Sequence, residues 1–158
     1  MKYFLDTEFI ENGPHHPIQL ISIGIVAEDG RTFEAISNEF SAIRASAWVV
    51  ENVLSKLSRD VSLWLSLFSI KHLILEFIGD DPNPEFWGYY ADYDWVVFCQ
   101  IFGTVMDLPA SFPMHCRDIK QLCDEKGNPQ LPKQGKGEHN ALADAKWNKL
   151  AWEFLTSL

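Results

Sequence analysis

Cysteine is scarce in this chain and shows no pairing pattern: Cys99, Cys116 and Cys123 are an odd set of three without a C-x-x-C. That argues against a disulfide framework and against a structural zinc site, and leaves reduced thiols packed as small apolar side chains. Positive charge is also in short supply. Lys and Arg number 13 against 22 Asp and Glu, a formal net charge of −9, which disfavours gripping a long duplex through its phosphates. Long apolar runs are missing too: the most apolar region, VSLWLSLFSIKHLILEFIG, is broken by Lys71, His72 and Glu76, and the opening MKYFLDTEF has no uncharged signal-peptide stretch. These absences predict a cytosolic protein. No internal repeat and no second domain boundary is visible, so residues 1–158 are expected to form a single domain around one core.

What is present reads as a layered α/β chain. KYFLDTEFI is strand-like, ENGPHHP is a Gly/Pro loop, and PIQLISIGIVAEDGRTFEAISNEF reads as a hairpin turning at Asp29-Gly30. From Ser41 the spacing becomes helical, through SAIRASAWVVENVLSKL and then VSLWLSLFSIKHLILEFIG. A short strand EFWGYY, a helix over YDWVVFCQIFGTV, a strand FPMHC, a helix in RDIKQLCDE and a final amphipathic helix NALADAKWNKLAWEFLTSL follow. Three strands followed by alternating helices and strands predict a mixed sheet flanked by helices.

Three constellations carry candidate chemistry. Asp6 and Glu8 lie two apart, so on a strand both leave the same face. At about 4 Å, two like charges cost roughly 4 kcal/mol at an effective dielectric near 20, so the pair requires a raised pKa or a cation; solvated acids on an edge strand account equally for an isolated D-x-E. In GYYADYDW, Asp92 and Asp94 stand at a strand-to-helix junction, where an aspartate also serves as an N-cap. In GEHNALADA, His139 and Asp144 are five apart. On one ideal helix that leaves them about 140° apart, so both reach one site only if His139 lies in the loop before the helix. A lone histidine at a helix start is equally a surface or hydrogen-bonded structural group.

In this order the pieces DTEF, YADYD and HNALADA resemble the DEDD superfamily of 3'-to-5' exonucleases, and Asn140, where the tyrosine branch carries Tyr, points to the histidine branch (DEDDh). YFLDTEFIENG, LISIGIVAEDGR and YDWVVFCQ further resemble the small bacterial exoribonucleases called RNase AS, which act on adenylate-containing RNA. The resemblance implies a ribonuclease H-like fold with a central mixed five-stranded sheet. It implies two-metal hydrolysis, with Asp6, Glu8 and Asp144 holding one ion and Asp6 bridging to a second held by Asp94 directly or through water. Alignment on the Tyr-Asp pair selects Asp94 over Asp92. Hard oxygen ligands point to Mg²⁺ or Mn²⁺, and their charge offsets the acidity of the chain where a phosphate must sit. His139 would accept the proton of the attacking water, and nucleoside 5'-monophosphates would leave the 3' end of single-stranded RNA.

Phe9 and Tyr90 could stack on terminal bases or simply pack, and Lys133, Lys136, Arg117 and Lys120 could touch the backbone or stand solvated. Asp118 reads as a helix cap, and His15 and His16 as loop. The resemblance also implies a homodimer. A DNA-directed or very-short-oligonucleotide exonuclease, and a non-catalytic RNA-binding module on the same fold, are the competing readings.

Overall fold

The computed structural model describes residues 1–135 and 137–158. Its frame is a five-stranded mixed sheet in the order β3-β2-β1-β4-β5, the architecture expected from the sequence. The strands are β1 (Lys2–Ile10), β2 (Gln19–Ala27), β3 (Thr32–Ile36), β4 (Glu85–Gly88) and β5 (Arg117–Asp118). β1, β2 and β3 form the antiparallel meander of the front half, and β4 and β5 add in parallel on the other side of β1. The central strand therefore borders both halves of the chain.

Alternation along β1 separates two cores. Tyr3 and Leu5 face a layer made by α2 (Leu67–Ile78) and α3 (Asp92–Phe102), where Ile70, Ile74, Val97 and Phe98 are buried. Phe4 faces the opposite layer, α4 (Ile119–Glu125) and α5 (Ala141–Thr156), with Ile119, Ala145 and Leu155. A third cluster joins Ile10 and Ile21 to Val53, just after α1 (Ala47–Asn52). Among the described residues no helix is long and apolar enough to cross a membrane.

Two segments depart from the sequence expectation. The helical spacing from Ser41 yields only the six-residue α1, separated by 3₁₀ turns from an α2 that starts at Leu67. Ser46 and Ser66 cap these helices by accepting N–H groups of Val49 and Ser69. Between them Leu65 is drawn into a bridge with Ser37, donating its N–H to Ile36 and accepting that of Asn38, which a continuous helix could not satisfy. FPMHC is not a strand either. β4 offers only Trp87 and Gly88 for pairing, and Arg117 and Asp118 take them, while Phe112 turns into the core.

Candidate active site

Asp6 and Glu8 leave β1 on the face that carries Phe4, toward α5. β4 pairs with β1 only over Lys2–Phe4, so from Leu5 onward polar groups of β1 are open to side chains. Asp94, in the first turn of α3, fills part of that opening: its Oδ1 accepts the Thr7 backbone N–H at 2.8 Å and the Thr7 hydroxyl at 2.6 Å. Asp94 is buried and Asp92 exposed, so the carboxylate that reaches β1 is Asp94. Neither acid is the cap; that position is Ala91, whose N–H is taken by Asp118 Oδ2 at 2.8 Å. Asp118 also caps α4 by accepting the Gln121 N–H at 3.0 Å, as its place in the sequence suggests.

His139 lies in the turn before α5, as the spacing to Asp144 requires. Its φ of +63° is a left-handed conformation that costs a non-glycine residue about 1–2 kcal/mol, and several contacts hold it. The His139 N–H donates to Asp144 Oδ2 at 2.8 Å, and the Lys56 ammonium donates to the Glu138 carbonyl at 2.5 Å. Asn140 caps α5 through the Ala143 N–H at 3.0 Å and donates to Glu34 at 3.2 Å. The His139 ring meets the edge of Trp48 at 4.8 Å. Gln134 donates its side-chain amide to the other oxygen of Asp144.

The four acids therefore converge from β1, α3 and α5. Burial first, then the Asp94, Asp144 and Glu8 carboxylates, hold Asp6 well above the usual carboxylate range. Burial and the charges of Asp144 and Asp94 push Glu8 up to about 7 against the opposing pull of Lys56. Asp94 is raised to about 6 by burial despite the two Thr7 hydrogen bonds, and Asp144 is raised by burial against the His139 N–H and Gln134. Such a cluster is short of positive charge. Glu8, His139 and Asp144 offer ligand atoms within 4.8 Å of one another, and oxygen donors in this number suit a hard divalent ion. The residues present fit a metal.

Of the expected substrate contacts, Phe9 packs against the core of the α2–α3 layer with its ring stacked on Tyr93, centroids 5.6 Å apart and 13° between planes. Tyr90 turns its ring to Tyr89 instead, and Tyr89 in turn meets Trp147 on the α5 side. Arg117 pairs with Glu85 at 3.3 Å and Lys120 with Asp124, Lys133 is exposed, and Lys136 lies outside the described residues. Sequence reasoning missed Thr7, Lys56, Trp48, Tyr93, Gln134 and Asn148. Trp48 and Lys56 sat in a stretch read as helix, and the others have partners 10 to 143 residues away, with no local signal.

Residues 1–156 of the 158-residue chain match the 3'-5' exoribonuclease Rv2179c-like domain. It is 42% identical over 160 residues to the 3'-5' exoribonuclease Rv2179c of Mycobacterium tuberculosis H37Rv, covering 99% of this chain and 94% of that protein, and equally to its counterpart in strain CDC 1551. Among solved structures, cell-death related nuclease 4 (CRN-4) superposes with a TM-score of 0.58 at 12% identity, over 99% of this chain and 63% of that one. A full-length 3'-exonuclease gives 0.56 at 12%, over 99% and 81%. These two likenesses speak for the fold alone, which is of the ribonuclease H-like type. With four acids from three distant motifs gathered beside a loop histidine, on a chain matched almost from end to end, the protein belongs to the family of Rv2179c-like 3'-5' exoribonuclease domains.

Proposed function

We propose that the chain is a metal-dependent 3'-to-5' exoribonuclease of the histidine branch, close to RNase AS, which shortens single-stranded RNA from adenylate-rich 3' ends and releases nucleoside 5'-monophosphates. The observation that carries this reading is the gathering of Glu8, His139 and Asp144 with ligand atoms within 4.8 Å of one another, close enough to Asp6 and Asp94 for the acids to raise one another's pKa values. Asp6, Glu8, Asp94 and Asp144 would hold two Mg²⁺ or Mn²⁺ ions. When bound, the ions offset the negative charge that develops on the attacking and leaving oxygens. His139, its backbone tied to Asp144, presents an imidazole that takes the proton of the attacking water. The half-exposed Trp48, which touches His139, and Phe9, which follows the acid pair in sequence and is backed by Tyr93, would offer faces for bases of a single strand. Residues 1–158 would act as one exonuclease domain, homodimeric in line with the RNase AS resemblance.

The test uses 5'-labelled RNA about 16 nucleotides long, the upper end of single-strand site sizes, with Mg²⁺ or Mn²⁺. Stepwise shortening from the 3' end is expected, faster on adenylate ends, and slower on DNA differing only in its 2'-hydroxyls. His139→Ala lowers turnover about 10²- to 10⁴-fold while Mn²⁺ still binds. Internal cleavage products would refute the exonuclease reading, and loss of Mn²⁺ binding in His139→Ala would make the imidazole a ligand instead of a base.

A further inference from the structure

Asn148 is almost completely buried, at 1% exposure, and it lies one turn along α5 from Asp144, on the same face of the helix. Its side-chain amide donates to the Leu5 carbonyl at 2.8 Å, across 143 residues of chain. Leu5 immediately precedes Asp6. It is also the first residue of β1 beyond the last pair with β4, Phe4 with Trp87. A backbone carbonyl buried there would otherwise have lost its ladder partner. Two residues further on, the Thr7 N–H is taken by Asp94. The stretch Leu5-Asp6-Thr7 is thus held at both ends by side chains, one from α5 and one from α3.

The other end of Asp144's helical turn is fixed as well. Gly24, the residue paired with Asp6 across β1 and β2, packs so closely on the start of α5 that a Cβ there would lie 2.4 Å from Ala141 and Leu142 backbone atoms. Asp144 therefore sits on α5 between two anchor points, the Gly24 contact before it and the Asn148 hydrogen bond after it. Both anchors grip the sheet at or beside Asp6.

From this we infer that Asn148 is a positioning residue: by tying α5 to the Leu5 carbonyl it sets the separation of Asp6 and Asp144, and hence the geometry in which the acid cluster receives divalent cations. The inference rests on the metal-binding reading of the site. Truncating groups that orient ligands from behind typically weakens metal affinity 10- to 100-fold, and the same range is expected here. A residue that merely fills the core leaves metal affinity untouched while lowering the melting temperature.

The experiment titrates Mn²⁺ calorimetrically into metal-free wild type, Asn148→Ala, Asn148→Leu and a control, Ala151→Gly. Ala151 is buried on α5 away from the acids, so that change lowers stability without touching the Leu5 carbonyl. Expected are Mn²⁺ affinities at least about ten-fold weaker in both Asn148 variants and unchanged in the control, with kcat falling and the KM for RNA within two-fold of wild type. Should Asn148→Ala not fold, Asn148→Leu, close in volume and without a donor, gives the same reading, because its side chain cannot donate to the carbonyl. Wild-type affinity in folded Asn148 variants overturns the positioning role and leaves the metal site standing. Absence of Mn²⁺ binding in wild type overturns both.

Discussion

A carboxylate on a buried strand face must either be neutralised or find a cation, and Glu8 shows which way the metal-free protein leans. Its pKa rises from the usual 4.5 to about 7, chiefly through burial, and Asp94 moves from 3.8 to about 6 in the same direction. The sign of the linkage follows. Between the unfolded and folded values the folded chain binds protons that the unfolded chain has released, so stability falls as pH rises through that window and stays lost above it. The metal-free protein is expected to melt at a lower temperature at pH 7.5 than at pH 5, and Glu8→Gln should shrink that difference while raising the melting point at pH 7.5. A thermal-shift series in chelator measures both, and equal pH responses of wild type and variant would sink the assignment.

Among the elements, α5 bears most on the site because it brings Asp144, and the loop with His139, onto β1. Its seat depends on Gly24, where only the absence of a Cβ lets the helix approach the sheet. Gly24→Ala has to push α5 outward, because the clash is with backbone and no side chain can yield. A loss of about 1–3 kcal/mol is expected, with the Mn²⁺-dependent rise in melting temperature reduced more than in a core variant of equal stability. A Gly24→Ala protein as metal-responsive as wild type would show that α5 tolerates the shift. The short α1 and the turns around it act differently: they leave Trp48 and Lys56 against the histidine turn, where one long helix was expected.

For the molecule as a whole, a net charge of −9 and four clustered acids make cation binding a stabilising event. Ligand that binds only the folded state at about one hundred times its Kd adds roughly 2.7 kcal/mol, on the order of 5–10 °C for a chain of this size. Mn²⁺ and Mg²⁺ should each raise the melting temperature in this way, and Asp6→Asn should blunt the rise. An unchanged wild-type melting curve at millimolar metal would remove the metal site from the account. In the proposed metal-bound form the same acidity would favour a short single-stranded end over a long duplex, because charge reversal would be confined to the acid cluster.

The sequence alone determined the local relations. A period of two put Asp6 and Glu8 on one face, the turn per residue of a helix put His139 in the loop before Asp144, and apolar spacing marked the meander and the last helix. These are properties of neighbours in the chain, which is why they could be read. The resemblance selected Asp94 over Asp92, and the tertiary structure supplies the physical reason in its contact with β1; only the tertiary structure decided that Tyr93 accompanies Phe9 and that Asn148 and Gly24 frame Asp144. Asp92 and Asp94 are equally favourable near a helix start, and what separates them is an open Thr7 N–H 87 residues away. That opening exists because β4 stops pairing at Phe4, a consequence of sheet order and strand length that no local pattern carries.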